Sequence, residues 1–156
     1  MSRIRILLLY TTFLTAVLAC QKEPVLVENR LDLLTGRDWQ LTKLLYSVDN
    51  STPGDIANVV FKDCEKDDRY RFRKDFVFQR VDSTISCGGL SVYGPYEEAS
   101  WGTDSLVTTL VIDKFFFYHY DFTIKQLSSR TLELEQATTD YLQQKEVYNW
   151  IFTAVK

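Results

Sequence analysis

The sequence predicts an all-β protein, an antiparallel up-and-down barrel of eight strands. Three observations lead to this prediction. Apolar and polar residues alternate along short segments, aromatic and β-branched residues are concentrated in those segments, and stretches rich in turn-forming residues separate them. Because an open meander leaves its two edge strands unpaired, it protects them best by closing on itself.

The predicted elements follow one another with short connections. A small apolar cluster at residues 31–34 predicts one helical turn before the first strand, and Pro53-Gly54 marks the loop after it. Lys74-Asp75 and Ser128-Ser129 are predicted turns within hairpins. The eight predicted strands cover residues 39–47, 68–73, 76–82, 96–102, 106–113, 116–127, 130–136 and 147–155.

The composition excludes several classes of function. The chain has 156 residues, 46% of them hydrophobic and 25% charged, which is typical of one globular domain. Its net charge of −3 argues against a nucleic-acid-binding surface. His119 is the only histidine, and alternation places it on the outer face. We therefore expect no metal site, no cofactor and no enzymatic activity.

The first 19 residues have the features of an export signal. Arg3 and Arg5 are followed by an apolar run from Ile6 to Leu18 and by a small residue, Ala19. This run is shorter than the roughly 20 residues that a membrane-spanning helix needs. We therefore expect residues 1–19 to be a signal peptide and not part of the fold.

The end of this segment, Val17-Leu18-Ala19-Cys20, resembles the lipobox of bacterial lipoproteins. The resemblance implies cleavage before Cys20 and attachment of acyl chains such as palmitate to that residue. It also implies a cell-envelope location, on the periplasmic face of the outer membrane or on the cell surface. Residues 20–30 would then be the lipidated cysteine and its tether, and residues 31–156 the barrel domain.

Two further cysteines, Cys64 and Cys87, form an even pair in a chain that is predicted to be exported. A disulfide is the expected state of such a pair, and it would stabilise the fold by roughly 3 kcal/mol. Free thiols or metal coordination are the alternatives.

The inner face of the predicted barrel is unusually rich in aromatic side chains. These rings predict a cavity for a small apolar ligand, with tyrosine hydroxyl groups fixing its orientation. The alternative is that the rings fill the barrel completely, in which case the chain would be a structural or protein-interaction module. The candidate ligand-binding residues are Tyr70, Phe72, Phe78, Tyr118, Tyr120, Phe122 and Trp150, and Phe76 is also predicted on this face.

Two groups of charged residues are predicted to lie in solvent. The arginines of the first hairpin are expected on its outer face, paired with neighbouring acids. An acidic segment precedes this hairpin, and because it lacks the spacing of a calcium-binding loop, we expect a solvated loop. The arginines are Arg69, Arg71, Arg73 and Arg80, and the acids are Asp63, Glu65, Asp67 and Asp68.

Three motifs, taken in order, resemble the lipocalin-like domain of Bacteroidetes lipoproteins. They are the segment from Leu33 to Thr42, the acidic cysteine segment before Tyr70-Arg71-Phe72, and the segment from Leu127 to Leu134. The resemblance implies a lipocalin-like barrel over residues 31–156, closed by Gly36 and Trp39, and implies no particular activity. Lipocalins pack an arginine near the last strand on this tryptophan, but the last predicted strand here has none.

Overall fold

A computed structural model describes residues 27–81, 96–114 and 118–155 of the chain. Its elements are two short helices and nine strands, with one turn of 3-10 helix at Asp63–Glu65. The helices are α1 (Val27–Thr35) and α2 (Ala57–Val60). The strands are β1 (Asp38–Val48), β2 (Gly54–Asp55), β3 (Arg69–Phe72), β4 (Val77–Val81), β5 (Tyr96–Thr103), β6 (Thr109–Lys114), β7 (Tyr118–Leu127), β8 (Thr131–Thr139) and β9 (Lys145–Val155).

The sheet closes on itself. From β3 onward each strand pairs antiparallel with the next, β1 pairs with β3, and β9 returns to pair with β1. The two-residue strand β2 adds to β1 and takes no part in the closure. The eight remaining strands correspond one to one to the predicted strands and form the up-and-down topology of a lipocalin-like barrel. The predicted fold class is confirmed.

A bulge in β1 decides which of its side chains face the barrel interior. The pairing of β1 with β9 shifts between Leu41 and Lys43. Because a bulge inserts one residue, the alternation of faces resumes with opposite parity. Trp39, Leu41 and Leu44 are therefore all buried, although they are not all separated by even spacings.

Helix α1 covers one end of the barrel, which we call the α1 end. Asp32 accepts a bond from Lys74 Nζ in the β3–β4 turn at 2.8 Å, and Arg30 Nη2 donates to the carbonyl of Val107 in the β5–β6 turn at 2.9 Å. Leu34 on the inner face of the helix is fully buried. The helix begins at Val27, four residues before the predicted cluster at residues 31–34.

Gly36 and Trp39 lie where α1 meets β1. A Cβ atom on Gly36 would stand 2.6 Å from the Asp32 carbonyl oxygen, so only glycine fits this approach. The Trp39 side chain is 0% exposed, and its indole N–H donates to the Leu34 carbonyl at 3.0 Å. The guanidinium of Arg37 lies 6.0 Å from the Trp39 ring centroid, so an arginine next to the first strand packs on this ring.

The prediction for Phe76 is wrong. Phe76 belongs to the β3–β4 turn and not to a strand: its φ is 63° and its N–H donates to the Arg73 carbonyl at 3.0 Å. The side chain is 56% exposed and contacts Trp101 with ring centroids 5.4 Å apart. The turn therefore uses more residues than the predicted Lys74-Asp75 pair, and β4 begins at Val77.

The start of β6 is also later than predicted. The carboxylate of Asp104 accepts bonds from the N–H groups of Thr108 at 2.6 Å and Thr109 at 2.9 Å. These bonds hold residues 104–108 in a turn, so the strand begins at Thr109 and not at Leu106. The hydroxyl of Thr108 donates to the same carboxylate, and together these bonds hold the pKa of Asp104 well below its usual value.

Within residues 27–81, 96–114 and 118–155, no helix combines the length and the apolar character that crossing a membrane requires.

Candidate functional site

The barrel interior is filled at the α1 end but not throughout. The hydrophobic core at that end contains four side chains that are 0% exposed: Leu34, Trp39, Leu110 and Leu132. Farther from α1 the walls border a cavity of about 450 Å³ that is partly open to solvent. This volume falls in the range of about 300–1,000 Å³ that is typical of small-molecule sites. The alternative of a completely filled barrel is therefore not what the structure shows.

Six of the seven candidate ligand-binding residues line this cavity. They lie on four different strands, and the barrel closure brings them to a common space. The seventh, Tyr118, begins β7, but its side chain lies outside the described part of the structure. The six are Tyr70, Phe72, Phe78, Tyr120, Phe122 and Trp150, and the other apolar lining residues are Val60, Phe61, Ala99, Ile112, Leu134 and Phe152.

Ring-to-ring contacts hold the aromatic walls in place. The Tyr70 ring meets Phe152 edge-on at 5.3 Å between centroids, and Phe72 lies 5.1 Å from Phe78. On the facing wall, Trp150 meets Phe122 edge-on at 6.2 Å. Tilted and edge-to-face pairs of this kind are favoured aromatic arrangements, so the lining rings support one another.

Phe61 is a lining residue that the sequence did not predict. It follows α2 in the connection between β1 and β3, where the sequence pattern is short and ambiguous. Its ring packs edge-on against Trp150 at 6.1 Å between centroids. The connection thus folds across the barrel interior and supplies Val60, Phe61 and Glu65 to the cavity wall.

The prediction for Arg80 is also wrong, and its correct position matters most for the site. Arg80 is paired with Tyr70 across the β3–β4 hairpin, so both side chains point into the barrel. Its Nη2 lies 2.6 Å from Asp68 Oδ2 and 3.5 Å from Glu65 Oε1. The Arg80 side chain is only 15% exposed. Alternation counted from Phe78 already indicates this inward position.

The acidic segment is correspondingly less solvated than predicted. The side chains of Asp68 and Glu65 are 8% and 18% exposed, because both turn toward Arg80. Only Asp63, which is 94% exposed and bound to Lys66, fits the prediction of a solvated carboxylate. We call Glu65, Asp68 and Arg80 the ion cluster.

The local fold of the connection fixes the position of Glu65. One turn of 3-10 helix carries this residue, and the Lys62 N–H donates to Glu65 Oε2 at 2.8 Å, while the Glu65 N–H donates back to the Lys62 carbonyl at 2.9 Å. The first bond is the glutamate half of a capping box, and the second is the backbone bond of the 3-10 turn. The first bond directs the other carboxylate oxygen, Oε1, toward Arg80.

Burial changes the acid–base properties of the groups at this wall. Burial raises the pKa of Tyr70 to about 12, so its hydroxyl stays protonated and can donate a hydrogen bond. Burial alone would lower the pKa of Arg80, but its interactions with Tyr70, Asp68 and Glu65 outweigh that effect and raise the pKa. Arg80 therefore remains charged at every physiological pH.

Two of the three remaining arginines of the hairpin, Arg71 and Arg73, lie outside the barrel and are paired. Arg71 forms a two-point bond with Asp38, Nε to Oδ1 and Nη2 to Oδ2, both at 2.7 Å. Arg73 binds Asp75 at 2.7 Å in the neighbouring turn. These two follow the prediction of an outer face with paired acids.

His119 lies on the outer face of β7, as alternation predicts. It is held between two carboxylates: Nδ1 bonds to Asp113 in a short contact, and Nε2 lies 3.1 Å from Asp121. The hydrogen bond that His119 donates to Asp113 raises the pKa of His119. Because the side chain is 57% exposed and outside the cavity, it cannot act on a bound molecule there.

Cys64 is disulfide-bonded. Its predicted partner Cys87 lies outside the described residues, so the pairing of these two cysteines stays a prediction. Cys20, the predicted lipidation site, also lies outside them. Among the residues that the structure does describe, no group of three or more His, Cys, Asp or Glu side chains could hold a metal ion.

No protein-family model matches this sequence, and no curated protein matches it. Among solved structures, the odorant-binding protein from bovine nasal mucosa is 15% identical, with 81% of this chain and 74% of that chain covered and a TM-score of 0.44. The complex of bovine odorant-binding protein with undecanal is 16% identical, with 87% and 77% covered and a TM-score of 0.41. The closed barrel described above rests on the strand pairings of this chain itself.

Proposed function

We propose that this protein is a non-enzymatic binding protein for a small, largely apolar molecule held inside the barrel. One observation carries the proposal: the structure leaves a cavity of about 450 Å³ between aromatic walls. Cavities of this size with mostly apolar and aromatic walls and a few polar groups are typical of small-molecule sites. A space of this size lined by rings is therefore best explained by a ligand that fills it.

The expected affinity follows from the apolar area that a ligand would bury. Burying about 250 Å² of apolar ligand surface gains roughly 6 kcal/mol, before the cost of immobilising the ligand. Polar contacts at the ion cluster would add to this. We expect dissociation constants in the micromolar range or weaker for apolar molecules that lack the matching polar group.

The chemistry of the described side chains supports binding without catalysis. Glu65 and Asp68 are the acids nearest the cavity, but both face Arg80 and are held as its counter-ions. His119 is on the opposite surface of the barrel wall. A general acid or base must reach its substrate within hydrogen-bond distance, and His119 does not meet this condition.

Binding can be tested with phenyl-naphthylamine, a probe that fluoresces when it leaves water for an apolar site. We expect saturable binding to the purified barrel. Ala99→Leu adds side-chain atoms inside the cavity and is expected to weaken probe binding by about tenfold, or ~1.4 kcal/mol. Ser100→Leu is the matched control. Ser100 is the next residue in β5 and is exposed on the outer face, so this change should leave the affinity for the probe unchanged.

Absence of saturable binding would overturn the proposal. So would an Ala99→Leu variant that unfolds at the same temperature as the original protein and binds the probe equally well, since the probe would then lie elsewhere.

We also propose that the protein is anchored in the cell envelope through lipid on Cys20. The support is the lipobox-like sequence before that residue. Helix α1 begins seven residues after Cys20 and is bonded to the turns at one end of the barrel. A chain anchored at Cys20 would therefore present that end, the α1 end, to the lipid surface. The test is detergent phase partitioning of the protein from its own host: the original chain should enter the detergent phase with a mass increase from acylation, and Cys20→Ser should not.

A further inference from the structure

We propose that the ligand carries a positive charge, as a hydrophobic amine or quaternary ammonium compound, and that its ammonium group lies beside Glu65. This inference rests on the proposed function and specifies the class of molecule that the cavity takes. It depends on three features of the wall: how the charge of Arg80 is used, how Glu65 is placed, and which side chains stand opposite.

Arg80 is the only positively charged side chain among the described residues that line the cavity, and its charge is already paired. Arg80 directs both Nε and Nη2 to the same oxygen of Asp68, each at 2.6 Å. Asp68 lies behind it, with its side chain 8% exposed. The positive charge of Arg80 is thus neutralised by the buried carboxylate of Asp68, and Glu65 supplies a second carboxylate to the same guanidinium.

The ion cluster therefore has a formal charge of −1, from two carboxylates and one guanidinium. A fatty acid or other anion entering the cavity would bring a third carboxylate to this wall without an unpaired cation to receive it. Burying a charge without a partner is strongly unfavourable. A cation entering at the same place would instead bring the local charge to zero.

Glu65 is the member of the cluster that can accept a new donor. Its Oε1 is 3.5 Å from Arg80 Nη2, a longer separation than the 2.6 Å between Arg80 and Asp68. Its Oε2 is fixed by the Lys62 N–H. The side chain is 18% exposed and lines the cavity. An N–H of a ligand ammonium could therefore bond to Oε1 without removing the Asp68–Arg80 pair.

Aromatic side chains line the same cavity as Glu65. Tyr70 already accepts a cation over its ring, because the Arg80 guanidinium stands 5.9 Å from its centroid. Phe61 and Trp150 line the same cavity from the connection and from β9. Ring faces attract cations and are the usual surroundings of bound quaternary ammonium groups. They give no corresponding stabilisation to a carboxylate.

The inference can be tested by competition among ligands that share one decyl chain. Decylamine, decyltrimethylammonium, decanol and decanoate would each displace bound phenyl-naphthylamine, at concentrations below those at which they form micelles. We expect the two cations to compete at least about tenfold more strongly than decanoate. Decanol should be weaker than the cations and stronger than decanoate. The shared chain makes the apolar contribution equal, so the order reports the head group.

Two variants locate the effect. Glu65→Gln keeps an oxygen for the Lys62 N–H, since glutamine also forms capping boxes, but removes the charge. It should reduce the preference for cations over decanoate to less than about threefold and leave decanol binding unchanged. Asp63→Asn removes one charge from the same 3-10 turn, at a side chain that is 94% exposed, and should preserve the preference.

The outcomes separate this inference from the proposed function. If decanoate competes as well as or better than the cations, the ligand is not cationic, although the cavity still binds apolar molecules. If the preference for cations survives Glu65→Gln in a variant of unchanged melting temperature, Glu65 is not the recognition group. If the probe does not bind at all, the proposed function itself fails.

Discussion

The indole N–H of Trp39 donates a hydrogen bond to the carbonyl oxygen of Leu34 at 3.0 Å, and both side chains are fully buried. Leu34 lies in the last turn of α1, where carbonyl groups lack partners within the helix. The bond therefore satisfies a helix carbonyl and a buried indole at once. It joins α1 to the first strand and closes the α1 end of the barrel.

Trp39→Phe should lower the free energy of unfolding more than Trp150→Phe. Both changes remove the same atoms, but the Trp39 N–H is bonded, whereas the buried N–H of Trp150 has no hydrogen-bond partner in the described structure. Losing the first leaves a buried carbonyl without a partner, at a cost of about 1–3 kcal/mol. Urea unfolding of the two variants measures the difference, and equal losses would contradict the role of the Leu34 bond.

Gly36→Ala should destabilise the barrel by about 1–3 kcal/mol. The added methyl group would stand 2.6 Å from the backbone carbonyl oxygen of Asp32, and a backbone atom cannot move aside as a side-chain end can. Gly102→Ala is the control, because nothing lies within 4 Å of its Cβ position. Melting temperatures of the two variants decide the matter: a Gly36→Ala protein as stable as the control would show that α1 can shift freely.

Arg80→Met should cost about 3–5 kcal/mol, because it leaves two carboxylates in a largely buried wall without their cation. Arg71→Met breaks a similar two-point pair with Asp38, but the Arg71 side chain is 43% exposed, so we expect a loss of only about 0–1 kcal/mol. Chemical denaturation of both variants gives the comparison. If the two losses are alike, the ion cluster is more accessible to water than its exposure of 15% for Arg80 indicates.

The sequence alone was sufficient to predict the strands and most of the inner face. Alternation is clearest where one face is buried and the other solvated, as in β8, where Leu132 and Leu134 are 0% and 2% exposed. In such segments the polarity of each side chain shows which face of the strand it occupies, because successive side chains point to opposite faces. The closure followed from the meander and from the need to protect its edges.

The errors arose where backbone geometry interrupts the alternation or where no regular pattern exists. Phe76 fits the alternation of β4, but it adopts a positive φ in the turn, which the sequence does not show. Phe61 and Glu65 come from an irregular connection whose path depends on the barrel that it covers. Arg80 is different, because strict alternation from Phe78 places it inside, and only its charge suggested the outer face.

The pH dependence of His119 is the remaining prediction. Its bond to Asp113 raises its pKa above the usual value of about 6.5. Protonated His119 therefore favours the folded state: its contribution is complete below the unfolded pKa and is lost as the pH rises through the higher folded pKa. Titration of the imidazole carbon-bound proton signals by NMR measures the folded value directly. Asp113→Asn should move that pKa back toward 6.5, while Asp75→Asn, which removes an exposed charge from the β3–β4 turn at the α1 end, should leave it in place. An unshifted His119 in the original protein, or an Asp113→Asn variant with the same pKa, would show that the Asp113 contact does not form in solution.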